Sequence, residues 1–288
     1  EDLAAEGTQM LQDRMKAVCG NENGNTVTIF NTLGFVRDDV AVIPAELMQG
    51  ASALKDSEGN ICPLQLCTGS AVVYLTDLPS KGYRVYERAE GKTQNRLQIG
   101  AEGKEITTPF YHVVFDTDGM MSSIYDLENE REIIRQGERG NFLKLYEDKP
   151  IYYDDWNIDR FYTEKSWDVT DVSRMEWTEK GPVRATLEIE RRISKSVILQ
   201  KIHFYADIRR IDFETEVDYH EHQHLLKVHF PTNIHSDEAT FDIQFGNLRR
   251  KVNSNTSWDI ARFESCGQKW MDFSEGHYGV SLLNDCKY

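Results

Sequence analysis

Val183-Arg184-Ala185-Thr186-Leu187-Glu188-Ile189-Glu190 and Ile211-Asp212-Phe213-Glu214-Thr215-Glu216-Val217-Asp218-Tyr219 decide how this chain is read. Val183, Ala185, Leu187 and Ile189 alternate with charged or polar neighbours, as do Ile211, Phe213, Thr215, Val217 and Tyr219. Successive side chains of a strand point to opposite faces, so this period predicts long strands with one buried and one wet face. Working outward, Tyr111-His112-Val113-Val114-Phe115-Asp116 runs through Thr117-Asp118-Gly119 into Met121 to Tyr125, a hairpin signature with Asp-Gly at the turn. Further toward the start, Val27, Ile29, Val40, Val42, Val72, Val73, Tyr83 and Val85 sit in short β-prone runs. Turn residues separate them: Thr32-Leu33-Gly34, Ser57-Glu58-Gly59-Asn60 and Pro79-Ser80-Lys81-Gly82. No helix-length periodic segment interrupts the second half, which excludes a βαβ unit and a parallel sheet. The fold class is therefore mostly β, with antiparallel β-sandwich domains: a small sandwich over 26–105 and a larger one over 106–288. Residues 1–20 precede them. Leu3, Met10, Leu11, Met15 and Val18 predict a helix over 1–18, ended by Gly20, Asn21, Asn23 and Gly24. A lone amphipathic helix ahead of a β region has little to pack on, and it reads as the end of a helical layer.

The 288 residues suffice for one large domain or two ordinary ones, and 40% apolar with 28% charged content marks a globular chain. Lys and Arg number 33 against 48 acidic residues, a net charge of −15 that repels nucleic acid and polyphosphates but not a neutral sugar. No apolar run approaches membrane-spanning length, and neither a membrane partner nor a signal peptide is expected. Cys19, Cys62, Cys67, Cys266 and Cys286 are odd in number and lack zinc-ribbon spacing, so reduced thiols in a cytoplasmic protein fit best. The start at Glu1 and the stop after an apolar strand pattern read as cut ends.

The candidate chemistry lies between Tyr152 and Asp168, where rings and carboxylates interleave with almost no aliphatic filler. A ring can stack on the apolar face of a sugar while carboxylates accept its hydroxyl hydrogen bonds. Asp154, Asp155, Trp156 and Asp159 are the candidate substrate-binding residues. As sequence neighbours, the acids are poorly placed to flank a glycosidic bond from opposite sides, so no catalytic carboxylate pair is assigned here. Thr68-Gly69-Ser70-Ala71 lacks the second glycine of a nucleophile elbow, leaving Ser/His/Asp catalysis without support. His220, His222 and His224 alternate as if along one strand, a spacing that could hold zinc. The acidic alternation of Asp212, Glu214, Glu216 and Asp218 on the same face favours a solvated stripe instead, and no metal site is expected.

Several stretches then resemble glycoside hydrolase family 38, the class II α-mannosidases. Phe30-Asn31-Thr32-Leu33-Gly34-Phe35-Val36-Arg37 is similar to the opening of that family's β region. Thr108-Pro109-Phe110-Tyr111 and Gly119 to Asp126 resemble the start of its C-terminal sandwich. Asp155-Trp156-Asn157-Ile158-Asp159 resembles an element of its bacterial and cytosolic branch. Asp218-Tyr219-His220-Glu221, Leu225 to Val228, Phe230-Pro231, Asn255 to Glu264 and Tyr278 to Tyr288 continue the match. The resemblance runs from Thr26 to Tyr288. It implies a large sandwich of the galactose-mutarotase-like type, and a parent enzyme that hydrolyses terminal α-mannosides with retention. The implied partners are a mannose-containing oligosaccharide and an N-terminal catalytic barrel of the same chain. The family's catalytic carboxylates and zinc ligands lie in that barrel, and its zinc-ligand motifs are not found here. Zinc is thus expected in the parent and no cofactor in this chain, which alone should be inactive. The resemblance also implies that the 154–159 segment borders the active site. The rival expectation is a free-standing carbohydrate-binding or mutarotase-like module.

Overall fold

The structure, a computed structural model, describes residues 2–19, 24–154 and 156–285. After the helix Asp2–Cys19, mostly antiparallel sheets carry the chain to Leu283. Leu3, Met10, Leu11 and Val18 of that helix are exposed. The described residues fall into two compact units: Glu1–Leu97 with Trp177–Thr186 and His203–Asp212, and Gln98–Glu176 with Leu187–Ile202 and Phe213–Tyr288.

In the first unit, one sheet orders the strands Thr26–Asn31, Gly82–Ala89, Ala53–Lys55 and Ile61–Cys62, and a second orders Arg37–Pro44, Ser70–Leu78 and Leu64–Cys67. Their inner faces share one core, with Val27, Leu54 and Tyr86 from the first sheet against Ile43, Leu64, Val73 and Leu75 from the second. Each fully buried aliphatic side chain there contributes roughly 1.5–3 kcal/mol. The Gln65 side chain is buried with the core and accepts hydrogen bonds from the Val183 and Arg184 amides at 3.0 and 2.9 Å.

The second unit opens with a five-stranded sheet ordered Arg131–Glu132, Met121–Asp126, Tyr111–Phe115, Glu105–Thr107 and Gln98–Ile99. The expected Asp-Gly turn is present: Gly119 has φ +70°, and Asp116 Oδ1 accepts from the amides of Asp118 and Met120, each at 2.9 Å. A three-stranded sheet places Phe142–Glu147 between Ser166–Asp168 and His224–His229. Leu143 and Leu145 pack there with Val169, Ile193 and Ile198. A four-stranded sheet orders Gly246–Lys251, Glu238–Ile243, Trp270–Glu275 and Tyr278–Leu283. Its register aligns Leu248, Phe241, Met271 and Leu282 in one apolar row across all four strands. Arg249, Thr240, Asp272 and Ser281 form the polar row behind it. Leu248 and Leu282, at the two ends of the apolar row, are each 46% exposed.

The two deciding stretches behave differently. Val183, Ala185, Leu187 and Ile189 are fully buried, as the alternation requires. The strand Ile211–Asp218 lies at a sheet edge and is half-buried only over its first three residues; Val217 is exposed. An edge strand has a neighbour on one side only, so the same pattern buries less there.

Candidate functional site

The aromatic and acidic segment is an arm that leaves the strand Phe142–Glu147 and returns through the short helix Arg160–Glu164 to the strand Ser166–Asp168. Backbone and side-chain bonds close it into a loop. The Ile151 amide donates to Asp159 Oδ2 at 2.8 Å, and the Asn157 side-chain amide donates to the Tyr152 carbonyl at 3.2 Å. The amides of Trp156 and Asn157 both donate to the Tyr153 carbonyl at 2.8 Å, a tight turn in which Tyr153 takes φ +60°. Tyr152, Tyr153 and Phe161 are exposed, and Trp156 is 88% exposed.

Of the four candidate residues, Trp156 presents its ring to solvent. Asp154 is exposed and accepts from Gln223 Nε2 at 3.4 Å. Asp159 commits one oxygen to closing the loop. Asp155 lies outside the described residues. Asp154 and Asp159 also act on a neighbour that sequence reasoning did not single out. Burial, reinforced by their two negative charges, raises the Asp148 carboxyl above the usual carboxylate range. Asp148 Oδ1 is buried and makes no hydrogen bond among the described residues.

The arm's base is held by polar groups from three parts of the chain. The Tyr162 hydroxyl donates to Glu264 Oε1 at 2.6 Å and accepts from Lys227 Nζ at 2.8 Å, while Lys227 pairs directly with Glu264. The Tyr162 ring packs edge-on against Tyr146, with centroids 5.1 Å apart, and lies 6.3 Å from Phe263. Tyr146 in turn shares a hydrogen bond of 2.9 Å with His229 Nε2. Burial, with the positive charges of Lys144 and Lys227, lowers the His229 pKa. The signal for these contacts was partly legible: Tyr162 belongs to the ring-and-acid segment, and Glu264 ends the Asn255 to Glu264 stretch. The pairing itself spans 102 residues and has no local signature.

The histidine spacing does not survive as a ladder. The strand Ile211–Asp218 ends before His220, and His224 begins the next strand, so a turn separates them. His220 Nε2 lies 2.9 Å from Asp218 Oδ1, and His224 Nδ1 bonds the His222 carbonyl at 2.6 Å. A run of polar residues read as strand was in fact the reversal between two strands. Two open surface depressions, one beside Val197, Leu199 and Glu216 and one beside Ser236, Glu238 and Lys251, do not include the arm.

Comparison with known proteins gives this geometry a family. The model for the glycosyl hydrolases family 38 C-terminal domain matches residues 106–288. Alpha-mannosidase 2C1 of Homo sapiens is 30% identical over 300 residues, covering 100% of this chain and 27% of its own length. Alpha-mannosidase G of Dictyostelium discoideum is 37% identical over 190 residues, 64% of this chain and 17% of its own. The crystal structure of an alpha-mannosidase from Enterococcus faecalis V583 shares the fold, with a TM-score of 0.67 at 14% identity, over 91% of this chain and 38% of that one. The chain belongs to glycoside hydrolase family 38, and its residues 106–288 correspond to the family's C-terminal domain. It spans about a quarter of the length of the human relative, 27%.

Proposed function

We propose that this chain is the β-sandwich portion of an α-mannosidase that removes terminal α-linked mannose with retention, and that the 154–159 arm borders the sugar. The match of residues 106–288 to the family's C-terminal domain carries the reading. Retaining hydrolysis needs one carboxylate to form a glycosyl-enzyme bond and a second carboxyl group to protonate the leaving oxygen, with about 5–5.5 Å between them. The arm is unsuited to that task, because its acids share one loop and Asp159 is engaged in closing it. The pair belongs, in this proposal, to an N-terminal barrel. Zinc belongs there too and would grip sugar hydroxyls; among the described residues here, no three His, Cys, Asp or Glu side chains converge to hold a metal. What this chain contributes is an apolar ring face at Trp156 and carboxylate acceptors beside it, the two chemistries a sugar site combines. A cytoplasmic setting is supported by the thiols of Cys19, Cys62, Cys67 and Cys266, which are all free. Burial pushes the Cys62 thiol up to about 11, so it stays protonated. Among the described residues, no helix is long and apolar enough to cross a membrane.

The test is Asp155→Ala and Trp156→Ala in the intact enzyme that carries this chain. Each should cost roughly 1–3 kcal/mol in kcat/KM, a partial loss rather than abolition. Wild-type kinetics in both variants would sink the bordering role. An upstream region without a catalytic barrel would favour a free-standing binding module instead.

A further inference from the structure

Two segments of the second unit leave aromatic rings in solvent beside carboxylates, and they meet at one residue. The first is the arm. The second runs from the helix Ser257–Ala261 to Glu264, with Trp258 74% exposed and Ile260 and Phe263 also exposed. Its start is fixed by a capping box: Thr256 Oγ1 accepts from the Asp259 amide at 3.1 Å, and Asp259 Oδ2 accepts from the Thr256 amide at 3.1 Å. Tyr162 joins the two segments through its ring contact with Phe263 and its hydroxyl bond to Glu264. Lys227 locks the junction, since it bonds the same hydroxyl, pairs with Glu264 and lies 4.5 Å from the centre of the Tyr162 ring. The two ring-bearing segments are thereby held in a set relation rather than moving independently.

We propose that Trp258 to Glu264 form the second half of the saccharide surface and receive the sugar units of an oligosaccharide beyond the mannose that is removed. The proposal rests on the reading that the arm borders the sugar. The chemistry of the surface selects this occupant. The cores of protein–protein interfaces are depleted in Asp and Glu, whereas here Asp154, Asp159 and Glu264 lie among the rings. The same acids repel anionic ligands. A neutral polyol satisfies both halves of the surface: its C–H faces lie on rings, and its hydroxyls donate to carboxylates. Burial, together with Glu264, raises the Tyr162 hydroxyl above its usual value, so the junction keeps its proton across the working range.

The experiment uses the intact enzyme with Trp258→Ala, Phe263→Ala and, for reference, Trp156→Ala. KM and kcat are measured on an aryl α-mannoside, which has one sugar, and on a linear α-linked mannotriose, with a melting curve for each variant. Trp258→Ala and Phe263→Ala should raise KM for the triose about tenfold, leaving the aryl mannoside within about twofold and the melting temperature unchanged. Tyr162→Phe, which keeps the ring contact with Phe263 but removes the hydroxyl's bonds to Glu264 and Lys227, should shift KM for the triose in the same direction. Unchanged triose kinetics in both 258 and 263 variants, with Trp156→Ala impaired, overturns this inference and leaves the bordering role standing. No effect in any of the three overturns this inference, and together with wild-type kinetics in Asp155→Ala it overturns the bordering role as well. A lowered melting temperature with kinetics intact for the folded fraction overturns the inference in favour of a surface that packs on protein.

Discussion

A guanidinium cut off from water must find its partners within the protein, and Arg191 finds backbone carbonyls at the turn that the Asp-Gly pair makes. Its Nη2 donates to the Gly119 carbonyl at 2.6 Å, and burial lowers its pKa to about 10 despite the nearby charges of Asp116 and Asp118. Gly119 is required twice over: its φ is +70°, and a Cβ there would lie 2.8 Å from Arg191 Nη2. Gly119→Ala should therefore destabilise the chain by roughly 1–3 kcal/mol, read as a lowered urea midpoint with the slope unchanged. His229 supplies a pH dependence. Its folded pKa lies below the usual 6.5, so its contribution is complete above that value and is lost as the pH falls through the lower folded pKa. The melting temperature of His229→Gln should fall less than that of the parent between about pH 7.5 and about pH 5.5. Burial was readable where one residue sufficed: Val183, Ala185, Leu187 and Ile189 are inside. Arg191 shares their parity and is inside too, but a charge at a core position is intelligible only once Gly119 and Gln200 are seen beside it.

At the level of elements, the two outcomes of polar patterning differ for a physical reason. The hairpin around Gly119 was legible because its turn chemistry is local. The reversal between Asp218 and His224 was not, because Tyr219 to Gln223 contain no glycine or proline and continue the alternation of the strand before them. The reversal is instead fixed at a distance, with Glu221 accepting from the Lys195 amide at 2.9 Å and from the Ser196 hydroxyl at 3.0 Å. The helix Ser257–Ala261 has the opposite character. Five residues cannot sustain a helix through propagation alone, so its capping box carries an unusual share of its stability. Thr256→Ala should cost about 0.5–2 kcal/mol, and hydrogen exchange at the amides of Asp259 and Ile260 should accelerate before any global melting is seen. The arm was found in the sequence as a composition, with rings and acids over 152–168. That Tyr162 would anchor it to Lys227 and Glu264 depends on chain reversals that composition does not encode.

For the molecule as a whole, the two units contain sandwich cores of their own, and the family match covers the second unit's span from 106 onward. If the reacting carboxylates lie in a barrel elsewhere in the parent, the purified chain should release no aryl alcohol from an aryl α-mannoside, with or without added zinc. Turnover that responds to substitution within this chain would refute that division of labour. The mostly β class was legible throughout, since period-two patterning is a property of each strand separately, but the strand boundaries were not, as the reversal between Asp218 and His224 shows. The path of the arm was not, since it is set by contacts among strands far apart in sequence. With Leu248 and Leu282 at either end of a half-wet apolar row, two copies can remove the same oily strip from water by meeting there. Opposing that attraction is the long-range repulsion of −15 charges, which salt screens to within about 8 Å at physiological strength. The isolated chain should therefore keep best in dilute, low-salt buffer, and added salt should cloud it before it unfolds it.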